Sequence, residues 1–193
     1  LVISPFALMD RMMIPLDARC QFSLPVVVAN ERPVEKIGKL LHPQSIGIIG
    51  VSASKMNFGR IILKNLLASG YDPERMTIIR PGEVHIDGVR CVESLGALKS
   101  KLDLFVVAVA ADGVFDLVDE IIEQDAANSV MLVPGGLGET EQSREPAAAM
   151  KARINEAHSQ AGGGPVFLGG NCLGVVSHPG GYDSWFIPRE RLP

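Results

Sequence analysis

The sequence predicts an α/β fold: a Rossmann-like, doubly wound parallel sheet of about five strands, with a short N-terminal β segment from another domain. Three observations carry that expectation. Short apolar runs rich in β-branched residues recur at 46–49, 76–79, 104–109, 129–133 and 165–168, and read as strands buried on both faces. Between them apolar residues recur at helical spacing, as in Ile61, Ile62, Leu63, Leu66 and Leu67. Glycine or small-residue turns follow most of the strands. Strands separated by helices return in one direction through right-handed crossovers, so the sheet is parallel.

Residues 1–25 suggest two short strands around a turn near Met9, Asp10 and Arg11, with Asp17 at the end of the second. Residues 26–44 have a charged middle with Pro33 and Pro43, and read as a linker holding a short helix around 34–41. The main domain is expected over 45–180, with 181–193 opening a following segment. Its first strand runs into the turn Val51-Ser52-Ala53-Ser54 and a helix over about 57–69, stopped by Gly70. After the second strand come Arg80-Pro81-Gly82, then an irregular loop or a small hairpin about Asp87-Gly88, and a short helix at 93–98. The run at 104–109 is apolar enough to be the central strand. A helix begins at Asp112 or Asp116, with Val114, Leu117, Val118, Ile121 and Ile122 as its core face. The fourth strand leads into the glycine turn 134–138 and a long helix over 141–160. The fifth runs into Gly169-Gly170-Asn171-Cys172.

The 193 residues hold one full domain and part of another. A hydrophobic content of 47% fits a well-filled α/β core. It also fits a piece of a larger protein with former interface exposed, which Leu1 in place of Met favours. The net charge of −4 offers nucleic acid no electrostatic attraction. No apolar run reaches membrane-spanning length, so no membrane partner is expected. Cys20, Cys91 and Cys172 form no C-x-x-C pair, which points to a reducing, cytoplasmic setting. A homo-oligomer is expected.

The loops after the strands gather on one edge, where such sheets bind ligands. Strand, small turn and helix aim backbone N–H groups at phosphate. Gly47, Gly50 and Gly59 do not match G-x-G-x-x-G, so the first turn is wider than a dinucleotide turn. Ser52 and Ser54 can donate hydroxyls to phosphate. Lys55 either adds charge there or is an ordinary solvated lysine. Arg80 stands where NAD enzymes place an acid, and suits a ribose bearing its own phosphate, as in NADP or coenzyme A. Its other reading is a surface arginine paired with Glu83 or Asp87. Asn171 can bond backbone or ligand. Cys172 has no base paired with it in sequence, and reads as a small buried side chain. No histidine has metal-ligand or triad spacing.

The run LLHPQSIGIIGVSAS, the turn Arg80-Pro81-Gly82, and the segments PGGLGE and GGNCLGVV, in that order, resemble the coenzyme A-binding domain of the NDP-forming acyl-CoA synthetases. The resemblance covers about 41–176. It implies that Ser52, Ala53, Ser54 and Lys55 hold the coenzyme's phosphates and that Val133, Pro134 and Gly135 line it. Glu83 stands where the family carries a lysine, and Gly170 replaces the proline of a GPNC-type segment. Residues 2–22 resemble the last strands of an ATP-grasp domain. Asp17 matches its magnesium-binding aspartate, and Ser4 stands at its asparagine position. The family makes an acyl phosphate from an acid and ATP, passes the phosphoryl group through a histidine, and forms the thioester with coenzyme A. That histidine lies in a following ligase domain and has no match in this chain. The resemblance therefore implies coenzyme A as ligand, ATP and magnesium for a longer parent, and a fragment that binds without turning over. Two other readings are a ligand-sensing module fused to a protein acetyltransferase, and an NADP-binding oxidoreductase domain. The wide first turn and the lack of an acid–base pair count against the last.

Overall fold

The computed structural model describes residues 2–3, 5–20, 22 and 32–191. Ser4, residues 23–31 of the expected tail and linker, and the last two residues lie outside them. The N-terminal piece forms β1 (Val2–Ile3) paired with β4 (Ala18–Arg19), and a hairpin of β2 (Phe6–Met9) and β3 (Met12–Pro15). The hairpin turns at Asp10, whose φ of 51° is the left-handed conformation a tight turn needs. Its apolar side chains stay in water: Leu8 is 81% exposed and Met12 65%.

The body is a seven-stranded sheet in the order β11-β10-β9-β5-β6-β8-β7. The five expected strands are β5 (Ile46–Ile49), β6 (Met76–Ile79), β9 (Leu102–Val107), β10 (Ala127–Leu132) and β11 (Val166–Gly169), all parallel. The two additional strands are β7 (His85–Ile86) and β8 (Val89–Val92), the hairpin around Asp87-Gly88. β8 joins the sheet parallel to β6 through Ile78↔Cys91 and Ile79↔Val92. β8 is short and is interrupted by the exposed Arg90, so the segment carries a weaker strand signal than the wholly buried β9. The expected helix at 93–98 shrinks to one 3-10 turn, Leu95–Ala97.

Helices cover both faces. α1 (Ile37–Leu41) and α2 (Phe58–Ala68) lie over one, burying Leu40, Ile62, Leu63 and Leu66 against Ile48, Ile78 and Val106. α3 (Val114–Glu123) and α4 (Glu141–Ser159) cover the other, against Phe105, Val107 and Val130. Thr140 caps α4, its hydroxyl accepting the Ser143 N–H. A Cβ on Gly47 would stand 2.3 Å from a Leu102 methyl and 3.0 Å from the Phe105 ring, so both side chains would have to give way.

The body reaches beyond the expected 45–180. Leu40 enters the core from the helix expected in the linker. Residues expected to open a following segment pack back on α1 and α2, in part through the hairpin β12 (Val176–Ser177) and β13 (Tyr182–Asp183). Tyr182 is buried and donates its hydroxyl to the Leu40 carbonyl at 2.6 Å. Asn65 donates to the carbonyls of Trp185 and Ile187, and Phe58 and Phe186 pack with ring centroids 4.7 Å apart. No helix among the described residues is long and apolar enough to cross a membrane.

Candidate functional site

The strand order reverses at β5: the chain steps from it to β6 on one side and later to β9 on the other. Ligands of such sheets bind outside the carboxyl ends of the strands at that point. Two glycines shape the first turn. Gly50, at φ 92°, leaves no room for a Cβ, which would stand 2.4 Å from the Ala108 carbonyl oxygen. A Cβ on Gly59 would stand 2.6 Å from the Gly50 carbonyl oxygen. The first lets the chain turn sharply; the second lets α2 start against the strand end. They perform two of the tasks of a dinucleotide fingerprint at a different spacing.

The turn is held from outside by three side chains. Asn57 caps α2, its Oδ1 accepting the Arg60 N–H at 3.0 Å and the Ser52 N–H at 3.3 Å, while its Nδ2 donates to the Gly50 carbonyl at 2.8 Å. Arg60 Nη1 donates to the carbonyls of Ser52 at 2.8 Å and Ala53 at 3.0 Å, and its Nη2 to the Asp87 carboxylate at 2.6 Å. Arg80 Nη1 donates to the Val51 carbonyl at 3.0 Å. Three successive carbonyls, from Val51 to Ala53, are thus drawn toward guanidinium groups. The Nε–H groups of both arginines are buried without a partner among the described residues. On the inner side, the Ser52 hydroxyl accepts the N–H groups of Ser54 at 3.4 Å and Lys55 at 3.0 Å. Ser54 and Lys55 are exposed.

Arg80 therefore leans on the first turn and pairs with neither Glu83 nor Asp87; the partner of Asp87 is Arg60. A cavity of about 370 Å³ adjoins this corner, lined in part by Ile49, Val51, Arg80, Pro81, Leu95 and Leu117, with Glu93 and Glu120 as its acidic members. The other expected residues form a second group. Asn171, at φ 57°, donates its backbone N–H to the Pro134 carbonyl at 2.8 Å, and a Cβ on Gly135 would stand 3.3 Å from its side chain. Val133 is buried and continues the sheet by donating to the Val107 carbonyl at 3.0 Å. Ser52, Ala53, Ser54, Lys55 and Arg80 thus meet beyond β5 and β6, and Val133, Pro134, Gly135 and Asn171 beyond β10 and β11. The loop after β9 stands between them: Ala108 touches Gly50, and Ala111 approaches Gly136.

Sequence reasoning missed the roles of Asn57, Arg60 and Asp87 in holding this turn. Asn57 carried a signal, since asparagine ahead of a helical apolar pattern is an N-cap signature. Asp87 carried none, because 27 residues separate it from Arg60. Cys172 is half-buried and its thiol has no hydrogen-bond partner among the described residues.

A family model described as CoA binding domain matches residues 44–178. The chain belongs to the CoA-binding domain family. Among curated proteins, the alpha subunit of an ADP-forming acetate–CoA ligase from Pyrococcus furiosus is 29% identical over 163 residues, covering 80% of this chain and 33% of that protein. A trans-feruloyl-CoA synthase of unknown prokaryotic origin is 25% identical over 144 residues, covering 75% of this chain and 19% of that protein. This CoA-binding chain thus spans about a third or less of the length of these relatives. Two solved structures share its fold. A dinucleotide-forming acetyl-coenzyme A synthetase of Ca. Korarchaeum cryptofilum, in complex with phosphate and ADP, has a TM-score of 0.68 at 24% identity, over 79% of this chain and 31% of that one. A Pyrococcus horikoshii protein has a TM-score of 0.66 at 21% identity, over 78% and 33%.

The residues present fit a coenzyme's phosphates: a turn of small residues, backbone donors held only by a neighbouring hydroxyl, and two arginines behind it. Magnesium is another matter. Asp17 is exposed and accepts the Ala18 N–H at 2.8 Å. No group of three or more His, Cys, Asp or Glu side chains able to hold a metal occurs among the described residues. A lone carboxylate does not make a magnesium site, which needs several oxygens in octahedral array.

Proposed function

We propose that the chain is the coenzyme A-binding module of an NDP-forming acyl-CoA synthetase, an acid–thiol ligase. The observation that carries the reading is the first turn. Its carbonyls are engaged from behind by Arg60 and Arg80, while the N–H groups of Ser54 and Lys55 rest on a single, exchangeable hydroxyl. Phosphate oxygens are better acceptors for those N–H groups than the Ser52 hydroxyl, because the bond becomes charge-assisted. Lys55 adds charge from solvent. Arg80 serves first as a support for the turn and second as the positive charge nearest a ribose phosphate. The cavity beside Val51 and Pro81 gives an aromatic base an apolar wall. Val133, Pro134, Gly135 and Asn171 border the path of the pantetheine arm. When bound, coenzyme A supplies the thiol that accepts the acyl group; this chain orients it and provides no acid, base or phosphate-carrying histidine.

The N-terminal hairpin supports the second half of the reading. Its exposed apolar side chains are what the end of an ATP-grasp domain would show without its remaining strands, and Asp17 would supply one oxygen of a magnesium–nucleotide site completed there. The remainder of that domain and a following ligase domain are the partners the reading requires, in a cytoplasmic homo-oligomer.

Titration calorimetry of the chain with coenzyme A, Mg-ATP and NADPH tests this. Coenzyme A binds at the first turn, and neither Mg-ATP nor NADPH displaces it there. Ser54→Asp places a carboxylate against the phosphates and weakens coenzyme A by about 2 kcal/mol. Unchanged affinity in that variant removes the site assignment, and preferential NADPH binding replaces the reading with a dehydrogenase. Mg-ATP binding by the chain alone that Asp17→Asn abolishes would refute the role given to Asp17.

A further inference from the structure

The amino edge of the sheet, opposite the coenzyme turn, carries a concavity of about 490 Å³. That is the size of a small-molecule site. It exists because one crossover lacks a helix. The connections from β5 to β6, β9 to β10 and β10 to β11 carry α2, α3 and α4, while residues 93–101 between β8 and β9 carry only a 3-10 turn. The sheet face beneath β6, β8 and β7 is left uncovered at that corner, and its residues are polar. Thr77 alternates with the buried Met76 and Ile78, and Arg90 with the buried Val89 and Cys91. His85 is the cross-strand neighbour of Arg90, so all three share this face.

Charge is distributed unevenly around it. Arg75, Arg90 and Lys99 line the concavity against a single carboxylate, Glu74, in a chain whose net charge is −4. None of the three cations belongs to an ion pair among the described residues. Arg75 is held in place: Nε donates to the Gln44 carbonyl at 2.8 Å, Nη2 to the Pro43 carbonyl and to Gln44 Oε1 at 2.9 Å each, and its guanidinium carbon stands 4.9 Å from the centre of the Tyr71 ring. Its Nη1 has no hydrogen-bond partner among the described residues. A guanidinium held in place beside two exposed cations is an arrangement for an anion. Val92 and Leu98 add apolar wall, so the occupant has an organic body as well as charge.

We infer that this concavity binds a small organic phosphate, with Arg75, Arg90 and Lys99 as its anion contacts, at a site separate from the coenzyme turn. ADP is the probe, with inorganic phosphate beside it. In amide NMR spectra of the chain, ADP shifts Thr77, Gly88, Arg90 and Ser100, including in the Ser54→Asp variant. The doubled variant R90E/K99E weakens ADP at least tenfold and leaves coenzyme A affinity unchanged. Raising salt from 50 to 300 mM weakens the same interaction, as expected of exposed cations. Inorganic phosphate binds more weakly than ADP. ADP shifts confined to Ser52–Lys55, equal ADP affinity in the doubled variant, or phosphate binding as tight as ADP would each overturn the assignment. A doubled variant that fails to fold is replaced by Arg90→Gln, for which a threefold or greater loss is expected and no loss is disqualifying.

Discussion

Arg60 and Arg80 at the carboxyl edge of the sheet give their N–H groups to backbone carbonyls, whereas Asp103 at the amino edge receives N–H groups. Asp103 is 6% exposed and accepts from the Gln44 backbone at 2.8 Å and from Asn128 Nδ2 at 3.2 Å, with Lys39 Nζ at 3.3 Å. Both arrangements hold a segment that enters or leaves a strand, and they do it with opposite charge. The difference follows from what each segment has to present. At the carboxyl edge carbonyls are drawn back and N–H groups face outward. At the amino edge the N–H of the incoming chain is the group that must not be left buried and unpaired. The sign of the buried clamp therefore tells which backbone groups remain for a ligand.

The comparison is broken most severely at Gly50. Gly50→Ala combines a φ of 92° with a Cβ 2.4 Å from the Ala108 oxygen. It should cost about 3 kcal/mol of unfolding free energy, readable in urea titration, and abolish coenzyme A binding. Asp103→Ala should come next, at about 2 kcal/mol, because it removes at once the part-buried acceptor of the Gln44 N–H and of Asn128 Nδ2 and the partner of Lys39. Its coenzyme A affinity, measured on the folded protein, should not move, since the amino edge does not touch the turn. Arg60→Ala should invert that pattern: a stability loss of about 1 kcal/mol with a roughly tenfold loss of coenzyme A affinity, as the carbonyls of Ser52 and Ala53 lose their donor. Equal affinity in Arg60→Ala and the wild type would mean that the arginine clamp does not prepare the turn.

The smallest effect sharpens the amino edge alone. Burial pushes the Tyr71 hydroxyl up to about 12, with the neighbouring Arg75 working against the shift. Tyr71 donates that hydroxyl to the Pro43 carbonyl at 3.0 Å, a bond only the neutral form makes. The folded state keeps the proton where the unfolded chain has lost it. The contribution is complete below the ordinary tyrosine range near pH 10 and declines as pH rises through about 12. Tyr182, pushed up further by burial, acts in the same direction. Denaturation midpoints from pH 8 to 11.5 should fall above pH 10, and less steeply in Tyr71→Phe than in the wild type. Parallel curves would remove Tyr71 from the alkaline limb.

The five principal strands and α2, α3 and α4 were legible because each is a local pattern: apolar on both faces for the strands, helical spacing between them, and Gly70 at the end of α2. β7 and β8 were half-legible. Asp87-Gly88 is a hairpin signal, but the short strands beside it carry Arg90 and His85 on one face, and no local rule says that the other face completes a sheet. The hairpin around Asp10 was legible; that its apolar side chains stand in water was not, since hydropathy does not say what a strand is packed against.

Taken alone, the sequence determined the sheet, the small-residue turn after its first strand, and the segments that resemble a coenzyme A-binding domain. All of these depend on residues within a few positions of one another. Only the tertiary structure decided that Arg80 turns back to the Val51 carbonyl, that Asp87 meets Arg60, and that residues 182–186 close over α2. It also decided that one crossover leaves an edge of the sheet open. Each joins groups tens of residues apart. Such pairings are selected by the folded geometry that satisfies buried polar groups, and by no propensity written along the chain.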